Sequence, residues 1–359
     1  MAANPVDYDV HGAAGVRLLD ASAADAAAVD RQLGPIRAPL RGEPDILVRL
    51  VDALPTSGPV RLLGVGEAAF TDDAFLLLRS RHKARARVRV DLATVGSRCE
   101  IVSEHGVPAI PLLVAILNLT ILAKGMLPLH ASAFVHDGAG IVATGWSKGG
   151  KTEAMLAFMQ RGARFVGDEW VHIAADGSRV HGLPEPIRLW DWHLRQLPDL
   201  RRRVGRRQLR RLGALRLAAR AAGRIGAPRA TPLLDRQLYA DVPPGRLFDA
   251  GAVALTARFD RLFLMGSWEH ERIAVRPVDP AEVARRMAFS LVHERAPLLA
   301  AYEHFRFAFP DRPNRLIEEA PERERALLQQ VLAGRPAFAV DHPYPVRLAA
   351  LFDAMSGHR

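Results

Sequence analysis

One stretch of this 359-residue chain constrains its fold more than any other. It is the phosphate-binding pattern G-x-x-x-x-G-K-[S/T], which fills residues 145–152 as Gly-Trp-Ser-Lys-Gly-Gly-Lys-Thr. The apolar run at 140–144 predicts a strand directly before the loop, and residues 152–160 predict the opening of a helix after it. Strand, glycine-rich loop and helix in this order are the context that the pattern requires. The sequence therefore predicts an α/β fold built around a phosphate-binding loop.

The chemistry of such a loop follows from its residue types. Glycines allow successive backbone N–H groups to turn inward on a phosphate, and the following helix N-terminus adds partial positive charge. Lys151 is expected to reach the β- and γ-phosphates, and the Thr152 hydroxyl to bind Mg²⁺. The loop residues expected to contact the nucleotide are Gly145, Ser147, Lys148, Gly149, Gly150, Lys151 and Thr152. ATP and Mg²⁺ are therefore the predicted cofactors.

A second group of candidates follows the next predicted strand, at 164–166. Asp168 and Glu169 come directly after it, at the strand end where α/β sheets bind ligands. Phosphoryl transfer needs a metal-bridged phosphate and a residue that orients or deprotonates the acceptor. The two carboxylates divide these roles, or only one faces the site, because neighbouring side chains on an extended chain point opposite ways. Together with Thr152, both are candidate metal ligands.

His130 lies fifteen residues before Gly145, on a segment predicted to pair with the strand that enters the loop. A histidine among Leu, Pro and Ala is by itself more typical of a hydrogen-bonded core residue than of a catalyst.

The formal net charge of +10 is concentrated in one segment. Residues 201–229 hold no acidic residue and carry arginines at 201, 202, 203, 206, 207, 210, 211, 216, 220, 224 and 229. Spacings of three and four, with leucines at 209, 212 and 215 between them, predict a basic amphipathic helix. Two readings remain open. The segment is a surface for an anion (a phosphorylated substrate, an acidic protein, a membrane surface or nucleic acid), or it is a solvated insertion.

The cysteine content and the apolar stretches of the sequence indicate where the protein is located and whether it spans a membrane. A single cysteine, Cys99, cannot form an internal disulfide, which indicates a reducing compartment, and no signal peptide is recognisable. The expected location is cytoplasmic. The apolar stretch at 107–123 is short for a membrane span and contains prolines, so it predicts a buried core helix.

The chain divides by pattern into two predicted domains. Residues 1–126 predict a smaller α+β domain with a structural or recognition role, including a helix at 21–33 and an alternating strand at 85–92. Residues 127–359 predict the phosphate-loop domain, with the arginine-rich insertion at about 200–230. In this second part, 261–265 and 272–278 predict the two strands of a hairpin, and residues 280–294 predict a helix with Asp279 as its N-cap.

Three segments in register resemble a known family. Residues 129–135, 145–153 and 160–169 are similar to the catalytic domain of HPr serine kinase/phosphorylase, within the phosphoenolpyruvate-carboxykinase-like P-loop superfamily. The likeness covers roughly residues 127–190. It implies a mixed sheet of that type and an ATP-dependent phosphotransferase, and a homo-oligomer is implied because the family tends to hexamers.

The resemblance also implies roles for single residues. His130 would lie beside the γ-phosphate or the acceptor, and Asp168 would be the catalytic base. Glu169 would occupy the position of a second aspartate, and Glu153 that of the acidic residue directly after the Lys-Ser/Thr pair. Arg188, with Glu185, loosely matches a downstream signature whose glycines are missing here, and it could clamp a phosphate. Because that signature and any likeness in the N-terminal region are absent, HPr itself is not the expected substrate.

The leading hypothesis is an ATP-dependent kinase that transfers the γ-phosphate to a hydroxyl of a small molecule, peptide or protein. The alternative is a nucleotide-binding regulatory module with slow or no hydrolysis. A carboxykinase-type phosphotransfer is the third hypothesis, although His130, His172 and His181 lack the spacing of a Mn²⁺ site.

Overall fold

The computed structural model describes residues 4–64, 66–79, 85–224 and 234–358. Within these ranges the chain has an α/β fold with mixed sheets of eight and nine strands and a two-stranded antiparallel sheet. The strands are β1 (Val6–Val10), β2 (Ala14–Leu19), β3 (Ile46–Val51), β4 (Arg61–Leu63), β5 (Ala68–Phe70), β6 (Phe75–Arg79), β7 (Arg85–Val90), β8 (Cys99–Glu104), β9 (Leu127–His136), β10 (Ala139–Gly145), β11 (Arg164–Gly167), β12 (Trp170–Ile173), β13 (Arg179–Gly182), β14 (Ile187–Trp190), β15 (Tyr239–Val242), β16 (Thr256–Arg258), β17 (Arg261–Trp268), β18 (Ala274–Pro277) and β19 (Ala337–Pro343). The helices are α1 (Ala23–Leu33), α2 (Leu113–Ala123), α3 (Lys151–Met159), α4 (Asp191–Gln196), α5 (Pro198–Arg203), α6 (Arg206–Arg224), α7 (Pro244–Leu247), α8 (Pro280–Ala308), α9 (Arg315–Leu332) and α10 (Leu348–Ser356), with short 3-10 turns at Leu92–Thr94 and Ala250–Ala252.

The eight-stranded sheet is formed by the first part of the chain, in the order β1-β2-β3-β8-β7-β6-β5-β4. The alternating segment predicted at 85–92 is β7, in which Val88 and Val90 are buried while Arg85 and Arg87 are exposed. The helix predicted at 21–33 is α1, and Ser22 caps it by accepting a hydrogen bond from the Asp25 amide. Both local predictions are confirmed. The alternation of apolar residues and the capping of a helix each depend only on residues that are neighbours in the sequence.

The core of this sheet is not supplied by the first part of the chain alone. Its hydrophobic cluster also contains Leu298, Tyr302 and Phe305 of α8 and Ile317 of α9. Helices from the last part of the chain therefore pack on the first sheet. The division of the chain at residue 126 stays a prediction.

The apolar stretch at 107–123 forms α2, which begins at Leu113 and is buried along most of its length. Two of its buried polar atoms have partners: Thr120 Oγ1 donates to the Ile116 carbonyl, and Asn118 Oδ1 lies 3.1 Å from His172 Nε2. The predicted core helix is confirmed. Across the described ranges, no helix combines the length and apolarity needed to cross a bilayer.

The nine-stranded sheet carries the glycine-rich loop. Its order is β16-β13-β12-β9-β10-β17-β19-β18, and β11 pairs with β9 beside this path. The strand predicted before the loop is β10, the helix predicted after it is α3, and β9 pairs with β10 antiparallel as expected. Since β10, β17 and β19 run parallel, their carboxyl ends meet at one edge, where the loop begins.

The predicted hairpin at 261–265 and 272–278 is wrong. Strand β17 pairs in parallel with β10 and β19, and β18 pairs with β19 instead of β17. The physical reason is burial. Residues 262–265 are buried in succession, which is typical of a central parallel strand covered on both faces and not of a hairpin strand.

The arginine-rich segment folds as two helices, α5 and α6, separated by the pair Val204-Gly205. Helix α6 is amphipathic as predicted, with Leu212 buried and Arg210 and Arg220 exposed. Arg229 lies outside the described residues.

Three histidines connect the two large sheets. His172 on β12 lies opposite His181 on β13, and the ring of His11, in the turn between β1 and β2, lies 5.0 Å from that of His181. Burial, followed by the charges of His11 and His181, lowers the pKa of His172 to about 3. Burial also lowers the pKa of His181 to about 4.

The buried His172 predicts an acid-labile fold. In the unfolded chain it binds a proton near its ordinary pKa of 6.5, whereas in the folded chain it stays neutral down to about pH 3. Its contribution to stability is therefore complete above pH 6.5 and declines below it. The free energy of unfolding is expected to fall by about 2 kcal/mol between pH 7 and pH 5 from this residue.

Urea unfolding at these two pH values measures this effect. His172→Gln should reduce the loss of stability on acidification, while His270→Gln, at an exposed position, should leave the loss unchanged. An unaltered pH dependence in His172→Gln would contradict the assignment.

Candidate functional site

The glycine-rich loop joins β10 to α3, and its backbone adopts unusual angles. Lys148 has φ of 63° and Gly150 has φ of 105°, so the chain turns sharply before α3 begins at Lys151. Gly149 and Gly150 are buried, Ser147 is half-buried and Lys148 is exposed. The amides at the start of α3 lie at the end of this loop, as anion binding at a helix N-terminus requires.

Lys151 is buried at the base of the loop. Its Nζ donates to the Trp146 carbonyl at 3.0 Å and lies 3.4 Å from the Gly145 carbonyl. Burial lowers the pKa of Lys151, and the charges of Glu169 and Asp168 offset part of that effect. The ammonium group is therefore held against the loop backbone by carbonyl oxygens.

Asp168 joins the loop to β9. Thr152 Oγ1 lies 3.0 Å from its Oδ2 and 3.2 Å from its Oδ1, and Ser132 Oγ donates to Oδ1. Burial raises the pKa of Asp168, and the charge of Glu169 raises it further. Ser132 was missed by sequence reasoning, although it lies in the quoted 129–135 segment, because a serine alone carries no signal of its partner.

His130 lies between two carboxylates. Its Nε2 is 3.1 Å from Glu169 Oε2, and its Nδ1 is 2.8 Å from Glu294 Oε1 on α8. Burial lowers the pKa of His130, but the hydrogen bonds with Glu169 and Glu294 outweigh burial and raise it overall. Loss of solvent contact acts to raise the pKa of Glu169, and the hydrogen bond and charge of His130 outweigh it, so that this pKa is lowered. The two carboxylates therefore favour the protonated imidazole over the neutral one.

Glu169 and Asp168 face different partners. Glu169 has φ of 68°, and its carboxylate contacts His130, whereas Asp168 contacts Thr152 and Ser132. Whether the two carboxylates divide the metal and acceptor roles, or only one of them faces the site, stays a prediction. Both remain beside the loop, because both act electrostatically on Lys151.

Two further contacts support the loop from other elements. His342, fully buried at the end of β19, places Nε2 3.0 Å from the Gly149 carbonyl. Trp146, more than half exposed at 53%, stacks on His293 of α8 with ring centroids 4.7 Å apart. Sequence reasoning missed His342, His293 and Glu294, since no motif connects these distant positions to the loop.

The two remaining candidate residues are Glu153 and Arg188. Glu153 is buried, and its Oε1 lies 3.1 Å from His193 Nε2, so its side chain pairs with α4. Arg188 on β14 donates to Asp241 at 3.0 Å, and its guanidinium lies 4.1 Å from the ring centroid of Tyr239. Burial opposes the charge of Arg188, but Asp241, Tyr239 and Glu169 outweigh it and raise its pKa. Arg188 therefore lies within electrostatic range of Glu169.

The donor set around the loop fits Mg²⁺ shared with phosphates. Thr152 and Asp168 supply oxygen atoms, which Mg²⁺ prefers, and it commonly takes one or two protein ligands and completes its shell with phosphate and water. Four carboxylates (Asp168, Glu169, Glu294 and Glu153) act on the single Lys151, which leaves excess negative charge for a cation. Within the described chain, no group of three or more His, Cys, Asp or Glu could hold a metal on its own.

Comparison of the chain with models of protein families and with curated proteins gives no match. The likeness to HPr serine kinase/phosphorylase therefore stays a prediction that rests on the three quoted segments. Function has to be argued from the site itself, because a fold does not determine the reaction.

Proposed function

We propose that the chain is an ATP-dependent kinase that transfers the γ-phosphate to a hydroxyl of a small molecule, peptide or protein, with Mg²⁺ as cofactor. One observation carries the proposal: Thr152 Oγ1, at the start of the loop helix, lies 3.0 Å from a carboxylate oxygen of the buried Asp168. A loop hydroxyl and a carboxylate at one point are what metal-assisted phosphoryl transfer uses.

The phosphates would be held by the protein in three ways. The loop amides and the N-terminus of α3 bind them through N–H groups, and Lys151 exchanges its loop carbonyls for phosphate oxygens. His130, whose two ring nitrogens face Glu169 and Glu294, would add positive charge beside the γ-phosphate. Mg²⁺, held by Thr152 and Asp168, would neutralise phosphate charge.

Asp168 is the proposed base. Its carboxylate takes the proton of the acceptor hydroxyl as the acceptor oxygen bonds to the γ-phosphorus and the bond to the ADP oxygen breaks. A base works best when its pKa lies near the working pH, and burial moves the pKa of Asp168 in that direction. Arg188 would act at longer range by balancing the charge of Glu169.

The finer architecture belongs to the same proposal. Residues 127–359 would form an HPr-kinase-like P-loop domain, with residues 1–126 as a smaller structural or recognition domain. Assembly into a homo-oligomer and a cytoplasmic location are proposed on the same resemblance and on the single cysteine.

The test follows the label of γ-³²P-ATP in a cell extract and in a pool of hydroxylated metabolites, with and without Mg²⁺. Label is expected in one protein, peptide or metabolite, and it should disappear with Lys151→Ala, which removes the phosphate-binding ammonium. Label that appears only in inorganic phosphate would contradict the kinase and favour the nucleotide-binding regulatory module.

A further inference from the structure

Helix α6 presents a straight row of exposed side chains. Arg206, Arg210, Leu217, Arg220 and Arg224 follow one another at spacings of four, seven, three and four residues, which places them on one face of the helix. All five are exposed, and Leu217 is 70% exposed. We call this row the arginine stripe.

The opposite face fixes the helix on the protein. Leu212, Ala219 and Ala222 are buried, and Leu212 belongs to the same hydrophobic cluster as the loop helix α3. The apolar face is therefore already used in the core. The arginine stripe faces outward, away from this core.

The charges of the stripe are not neutralised by the protein. Neighbouring arginines are paired, Arg202 with Asp199, Arg203 with Asp249 and Arg216 with Asp191. In contrast, the four stripe arginines form no ion pair with any described residue, and the sequence at 225–233 contains no acidic side chain. Like charges one turn apart destabilise a helix, so an anionic partner would relieve a cost that the helix otherwise carries.

We propose that the arginine stripe docks an acidic amphipathic segment of a partner protein. Carboxylates at three- and four-residue spacing match the arginines in geometry, because a guanidinium binds a carboxylate through two parallel hydrogen bonds. An apolar side chain of the same segment covers Leu217, which lies between the two pairs of arginines.

The exposed Leu217 favours an acidic amphipathic protein segment over other anionic partners. A nucleic-acid backbone would leave Leu217 facing phosphates, and the stripe contains no aromatic side chain on which a base could stack. A membrane-binding helix needs an apolar face of its own, and the apolar face of α6 is buried in the protein.

The stripe lies on a helix that connects to the candidate site. Arg211, also on α6, has its guanidinium 5.9 Å from the ring centroid of Tyr239, and Arg188 lies 4.1 Å from the same ring. A partner held on the arginine stripe would therefore lie on the outward face of a helix whose other side contacts the strand pair that carries Arg188.

Fluorescence anisotropy with the full chain tests the proposal. The probe is a fluorescein-labelled helical peptide with glutamates at three- and four-residue spacing around one central leucine. Arg210→Glu/Arg220→Glu is expected to weaken binding by at least about tenfold, and Leu217→Ser by about threefold or more. The matched control, Arg201→Glu/Arg207→Glu, has the same charge change at exposed arginines off the stripe and should alter affinity by less than about twofold.

Two competing probes complete the experiment, a single-stranded DNA and vesicles of phosphatidylserine and phosphatidylcholine. Weaker binding of both than of the peptide, with dependence on Leu217 confined to the peptide, supports the proposal. Equal losses in the stripe and control variants, or tighter binding of DNA or vesicles than of the peptide, would overturn it. Because the readout is binding alone, its result does not depend on whether the chain is a kinase.

Discussion

Asp168→Asn is expected to lower phosphotransfer about a thousandfold, the range attributed to a positioned general base. The amide keeps the shape of the carboxyl group and can still accept hydrogen bonds from Thr152 and Ser132. It cannot take a proton from the acceptor. ATP affinity is expected to stay within about threefold of the wild type, since the loop amides, Lys151 and Thr152 are unchanged and the amide oxygen of Asn can still face the metal.

Single-turnover transfer from labelled ATP and calorimetric titration of ATP separate the two quantities. Asp176→Asn, in the exposed turn before β13, makes the same chemical change away from the site and should leave both quantities unaltered. If Asp168→Asn loses ATP binding and transfer together, Asp168 is chiefly a metal ligand and its role as base is wrong.

The same variant should not lose stability. Since burial raises the pKa of Asp168 above its ordinary value of 3.8, the folded chain holds this proton more tightly than the unfolded chain. The contribution of the group to stability is then complete below the ordinary pKa and is lost as pH rises through the raised one. At neutral pH, Asp168→Asn is therefore expected to be at least as stable as the wild type in thermal unfolding, which would distinguish loss of chemistry from loss of fold.

The parts of the site that sequence could predict are those set by neighbouring residues. The glycines and the lysine of 145–152 define the loop, the apolar run of β10 leads into it, and Asp168 follows β11 within a few positions. Each of these relations spans one turn or one strand. Local pattern and local geometry coincide there, so the predicted strand and helix were confirmed, while phosphate binding by the loop stays a prediction.

The residues that sequence missed reach the loop through sheet order. His342 contacts Gly149 because β19 lies between β17 and β18, and the sequence had predicted those two strands as a hairpin. Glu294 reaches His130 because α8 packs against the sheet that contains β9. Neither arrangement can be predicted from residue spacing along the chain, since both depend on which buried surfaces pack together.

Gly150→Ala is expected to weaken ATP binding by about 10- to 100-fold, because the position combines an unfavourable backbone angle with a lack of space. Its φ of 105° is one that L side chains rarely adopt. A Cβ at this position would lie 2.0 Å from Nε2 of His342, which is itself buried and hydrogen-bonded to the loop. Either the loop or the histidine must move, and both hold the phosphate-binding amides in place.

Two companion variants separate the effect of the backbone angle at Gly150 from the effect of the missing space for a Cβ. Gly138→Ala, in the turn between β9 and β10, has φ of 80° with no atom within 4 Å of the added Cβ, so it carries the backbone strain without the collision. It should change ATP affinity by less than about twofold, because its strain lies away from the loop.

Replacing His342 by Ala in the Gly150→Ala background removes the colliding ring and should restore part of the affinity, although His342→Ala alone weakens binding by loosening the loop. Such non-additivity is what two residues in direct contact produce. Additive losses in the double variant would mean that the added methyl at Gly150 does not collide with the His342 ring, and that the sensitivity of Gly150 comes from its backbone angle alone.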